Sequence, residues 1–126
     1  MAMTLEQAVL GQLGEDGIRK LVASFYARIP ADTLLRPMYP GGDLAAAEER
    51  LAGFLVFRFG GSQRYVEERG HPRLRQRHAP FAVDGAAREA WMSNMRAALE
   101  ECVEDEALRA GLGGFLDQVA EFLINR

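Results

Sequence analysis

The chain holds 126 residues, enough for one domain, residues 1–126, with little room for a second. Its 48% hydrophobic and 26% charged content is that of a globular protein, not a disordered or fibrous one. Fifteen Lys and Arg against 18 Asp and Glu leave a net charge of -3, which argues against general binding to nucleic-acid phosphates. The one cysteine, Cys102, excludes an internal disulfide and any Cys-x-x-Cys chemistry, and it suits a reducing compartment. No apolar run approaches the ~18 residues of a membrane span. The first 13 residues carry no basic side chain, so no secretory signal and no membrane role are expected; the expected location is cytoplasmic.

The apolar spacing is helical almost throughout. Thr4-Leu-Glu-Gln7 forms a capping-box pattern that opens a short first helix. Ile18, Leu21, Val22, Phe25 and Ile29 then repeat every three or four residues until Pro30 stops the helix. Asp32 can cap one further turn, 33–36. Residues 37–42, Pro-Met-Tyr-Pro-Gly-Gly, are a cluster of breakers and predict a loop. Asp43 caps the next helix, whose stripe is Leu44, Ala47, Leu51, Phe54 and Leu55, and Gly60-Gly61 ends it. Residues 62–83 lose this regularity: at most one helical turn fits near Tyr65, Gly70-His71-Pro72 breaks the chain, and a short element, 73–78, closes at Pro80. A stretch of that length in a small domain is functional or is organised by something else. Asp84 opens a helix with Trp91, Met95, Ala98 and Cys102 on one face. The last helix carries Leu108, Leu112, Phe115, Leu116, Val119 and Phe122 or Leu123, and is weakened early by Gly111, Gly113 and Gly114.

Within that irregular middle, residues 69–78 contain both histidines and four arginines, Arg69, Arg73, Arg75 and Arg77. His78 reads either as part of a solvated basic surface or as a ligand to a metal or cofactor, with Leu74 one turn before it. A zinc site lacks its partners, because His71 is seven residues away and no cysteine pair completes four ligands. A single histidine with open coordination opposite suits haem iron better. Tyr26, Tyr39 and Trp91 fit two descriptions as well: amphipathic aromatics at a core rim, or hydrogen-bond donors aimed into an apolar cavity. Dinucleotide and phosphate-binding glycine loops are absent, as is a serine nucleophile elbow.

Several segments together resemble the truncated haemoglobins, specifically the second group of that family. They are Phe25-Tyr26, Tyr39-Pro-Gly-Gly-Asp-Leu44, Ala47-Glu-Glu-Arg-Leu51, Phe54-Leu55, Gly60-Gly61, Tyr65, the run from Arg69 through Gly70-His71-Pro72 and His78 to Phe81, and Trp91-Met92. The resemblance spans residues 10–100 and implies an all-α truncated globin, a 2-over-2 helical sandwich enclosing haem b. It implies His78 as the proximal iron ligand. It places Tyr26, Tyr39 and Trp91 as the polar groups facing a bound ligand, and Ala47 as a small gate residue. Leu51, Phe54 and Leu55 become an apolar wall, Leu74 and Phe81 further haem neighbours, and Arg77, Arg50 and Tyr65 candidates for the propionates. Phe59 departs from the family's usual tryptophan, and Gly14-Glu15 from its early glycine pair.

The expected function is reversible binding of O2, and of CO and NO, at ferrous iron opposite His78. Slow release would suit redox detoxification better than bulk transport. The alternative is a haem-dependent NO dioxygenase or peroxidase served by a reductase. A more distant one is a haem-free helical module that uses the 69–77 arginines on an acidic partner. The chain is expected to be a monomer or a homodimer.

Overall fold

The computed structural model describes residues 4–39, 44–59 and 84–124, and all regular structure among them is helical. The expected Asp43 cap, the Gly60-Gly61 stop, the element at 73–78 and the irregular stretch 62–83 lie outside the described residues, as do Tyr65, Leu74, Arg77, His78 and Phe81.

Helix α1, Leu5–Gln12, begins at the expected capping box. The Thr4 hydroxyl accepts from Gln7 N at 3.1 Å, and the Gln7 side chain accepts from Thr4 N at 3.0 Å. Gly14 then takes φ +66°, a left-handed turn that a side chain would strain, and this reverses the chain into α2, Gly14–Arg28. Ile18, Leu21, Val22 and Phe25 form the deep face of α2, with Tyr26 beside them.

Pro30 does not stop the chain outright. Helix α2 ends at Arg28, and a 3-10 turn, Ile29–Ala31, carries the proline near its start, where its missing N–H costs little. Asp32 closes this turn and opens the next: its N–H donates to Ile29 O, and its Oδ1 accepts from Leu34 N and Leu35 N, all at 2.9 Å. A second 3-10 turn, Arg36–Met38, runs from the end of the turn expected at 33–36 into the first two positions of the breaker cluster, where a loop was expected.

Helix α3, Leu44–Arg58, buries Ala47, Ala52, Phe54, Leu55 and Val56, while Leu44 and Leu51 are half-buried. Helix α4, Gly85–Cys102, starts at Asp84, whose carboxylate accepts from Ala87 N at 2.8 Å. Its deep residues are Ala87, Met92, Met95, Ala98 and Leu99. Trp91 and Cys102, expected on the central stripe, lie half-buried at its flank, because α4 packs on two neighbours and buries a wider arc than one stripe. Helix α5, Glu106–Phe122, is capped by Asp105, a cap the sequence reading did not identify. Leu108, Leu112, Leu116 and Ala120 line its buried face, whereas Phe122 is 57% exposed. The glycines do not break α5: a Cβ on Gly111 would lie 3.3 Å from Leu5 Cδ1, so the bare backbone lets α1 close on α5.

Helix α2 packs against both α3 and α4, α4 against α5, and α1 lies on α2 and α5. The far end of α3 meets α5 through Phe59, fully buried, whose ring stands 5.2 Å from that of Phe115. The result is two helices, α2 and α3, over two, α4 and α5, the 2-over-2 arrangement expected from the sequence.

Candidate functional site

Four aromatic rings gather where α2, α4 and the end of the second 3-10 turn converge. Phe25, fully buried on α2, contacts Tyr26 edge-on and Trp91 at a tilt, each with centroids 4.9 Å apart. Tyr26 meets Tyr39 edge-on at 5.7 Å. The three polar aromatics singled out in the sequence are therefore brought together, from three different elements. Phe25 joins them as the ring that spaces Tyr26 from Trp91. The sequence marked it only as core.

The polar heads of this cluster converge on the Tyr39 oxygen. The Tyr26 hydroxyl and the Trp91 indole both neighbour it, and the indole, with a proton to give and no lone pair to receive one, can act there only as a donor. Burial pushes Tyr26, only 7% exposed, far above the ordinary phenol range, and its neighbour Tyr39 adds to the rise. Burial also raises Tyr39, while the two donated hydrogen bonds and the nearby Arg50 charge pull the other way. Both phenols therefore keep their protons throughout the neutral range.

The α3 residues expected at the site fall into three environments. Ala47, Phe54 and Leu55 are buried in the same core cluster as Tyr26, with Leu51 packed against it. Arg50 is exposed, yet its positive charge acts on both phenols, so the start of α3 borders the aromatic corner. No charged side chain is buried among the described residues. An apolar wall with three protonated heads at one corner suits a flat apolar cofactor that carries a small polar guest, with Arg50 at the rim for an acidic substituent. Among the described residues, no group of three or more His, Cys, Asp or Glu is placed to hold a metal ion by itself.

The family model described as bacterial-like globin matches residues 9–125. A group 2 truncated hemoglobin of Bacillus subtilis (strain 168) is 35% identical over 114 residues, 90% of this chain and 86% of that protein. Among solved structures, a thermostable hemoglobin from Thermobifida fusca superposes with a TM-score of 0.89 at 41% identity, covering 98% of each chain. A truncated oxygen-avid haemoglobin from Bacillus subtilis superposes with a TM-score of 0.85 at 34% identity, covering 92% of this chain and 98% of that one.

Proposed function

Because this chain belongs to the bacterial-like globin family, and its relatives include truncated haemoglobins of the second group, we propose that it binds O2 reversibly through haem b and releases it slowly. Haem, when bound, supplies an iron centre at which O2, CO and NO are taken up. His78 is the residue that would hold the iron, with Leu74 and Phe81 as further haem neighbours. Arg77, Arg50 and Tyr65 would meet the propionates. Ala47, Leu51, Phe54 and Leu55 would form the apolar wall on the side of the ligand.

The observation that carries this reading is the aromatic cluster itself, with Tyr39 edge-on to the buried Tyr26 at 5.7 Å and Phe25 packed between Tyr26 and Trp91. Tyr26 and Trp91 fix the Tyr39 oxygen, so its proton turns outward, toward the place where a diatomic ligand with partial negative charge would lie. The apolar wall keeps water away, and a hydrogen bond in a dry site is worth more than the same bond in water. Each such bond contributes ~1–3 kcal/mol, and ~1.4 kcal/mol is a tenfold change in rate. The oxygen avidity named for the Bacillus subtilis relative agrees with slow release.

Two measurements test the proposal. Purified protein shows a Soret band, and His78→Ala loses it or binds haem far more weakly. In the holoprotein, Tyr39→Phe speeds O2 dissociation by about 10- to 100-fold and Trp91→Phe by a smaller factor. A colourless wild-type protein after expression with ample haem, or unchanged off-rates in both variants, overturns the reading.

A further inference from the structure

Tyr39 does not sit on a regular helix. It ends a short 3-10 turn with φ -114° and ψ 81°, and its N–H donates to Arg36 O at 3.2 Å. A donor on such a segment needs something to fix where it points relative to Trp91, which rides on α4. Asp32 makes that connection. Its Oδ1 accepts from Leu34 N and Leu35 N, and its backbone O accepts from Arg36 N at 3.0 Å, so Asp32 organises the turn that leads to Tyr39. Its Oδ2 accepts from Asn94 Nδ2 at 2.8 Å. Asn94 lies three residues after Trp91 on α4, and so on the same side of that helix. The same amide nitrogen donates to Ala90 O at 2.8 Å, which fixes the orientation of the amide.

We propose that the Asp32–Asn94 hydrogen bond is a positioning link, setting the Tyr39 phenol against the Trp91 indole and so setting how fast the diatomic ligand escapes. This rests on the reading of Tyr39 as the ligand donor, with Trp91 holding its oxygen. The backbone N–H of Leu35 and the amide of Asn94 hold the Asp32 carboxyl below the usual carboxylate range, so it is ionised near neutrality and the link is charge-assisted. The same carboxylate also has a plain capping role, and the two roles separate by substitution. Asp32→Asn keeps an oxygen for Leu34 N and Leu35 N but turns an NH2 group toward the NH2 group of Asn94. Asn94→Ala removes the link from the other side, at a helical position where alanine is favoured.

The experiment uses the haem-loaded full chain and reads the O2 off-rate by stopped flow and the C–O stretch of the CO complex by infrared. The variants are Asp32→Asn, Asn94→Ala and the pair together, each with Tyr39 intact and with Tyr39→Phe. The expected result is a roughly tenfold faster off-rate in each single variant and no further gain in the pair. The C–O stretch shifts toward its Tyr39→Phe position, and neither variant has an effect once Tyr39 is phenylalanine. Unchanged off-rates in both single variants, or accelerations that persist at full size in the Tyr39→Phe background, overturn the positioning role while leaving the donor reading intact. A Tyr39→Phe protein with the wild-type off-rate overturns both. Should Asp32→Asn not fold, Asn94→Ala carries the same comparison.

Discussion

Tyr26, Tyr39 and Trp91 were legible as candidates because each combines an apolar ring with a single polar atom. Taken one at a time, each matched an ordinary rim aromatic equally well. Their rings meet in one cluster, and such a convergence of residues 26, 39 and 91 is a tertiary property that no local spacing encodes. Asn94 escaped notice for the same reason, since its partner lies sixty-two positions away. Acidic caps carry a pH consequence at this scale. The N–H of Leu108, the first among several causes, holds Asp105 below the ordinary aspartate value. A carboxyl that releases its proton more readily when folded stabilises the fold in its ionised form. The contribution is complete above the unfolded value of about 3.9 and disappears as pH falls through the lower folded value. Asp105→Asn therefore has a urea midpoint below that of the wild type by a constant margin near neutral pH, and the margin closes below about pH 4. A margin unchanged down to about pH 3 overturns the assignment.

At the scale of elements, the caps at Thr4 and Asp84 were readable because a side-chain oxygen three positions before a free backbone N–H is a local arrangement. The glycines of α5 were misleading for the converse reason. Their cost is local, but the use of Gly111 is tertiary, because it faces Leu5; a Cβ on Gly113 would only make an ordinary contact, 3.6 Å from Leu99 Cδ1. Gly114 has no such neighbour and is exposed within a continuous helix. Gly114→Ala gains the helical preference of alanine without a clash and stabilises the protein by about 0.5–1 kcal/mol. Thermal melting reads this as a rise of a few degrees. Gly111→Ala gains less, because the tip of Leu5 must yield. Equal gains at both positions would show that the α1–α5 approach does not depend on the missing side chain.

At the scale of the molecule, the helical periods and breakers announced an all-α chain, and the segment resemblance gave its arrangement. Periodicity did not give the pairing of helices, because an amphipathic stripe says only that something covers it. Three ion pairs bridge the seams so formed, the Arg88 end of the third being half-buried. Arg19 meets Glu49 between α2 and α3, Arg28 meets Glu101 between α2 and α4, and Arg88 meets Asp117 between α4 and α5. Each is worth little alone, so packing carries the fold. The residues proposed for the iron side fall in the stretch that has no period of its own; there the residues alone offered His78 as one of two readings, and the resemblance supplied the others.

Met92 and Met95, 1% and 0% exposed on α4, flank the turn that follows Trp91. A thioether enclosed to that degree meets hydrogen peroxide only while α4 stands away from its neighbours. Sulfoxide at these two positions, counted by peptide mass spectrometry against incubation time, therefore clocks the breathing of the bundle. Conversion at the pace of free methionine would mean that the interior opens faster than the oxidant attacks. The expected outcome is conversion slower by orders of magnitude than that of free methionine.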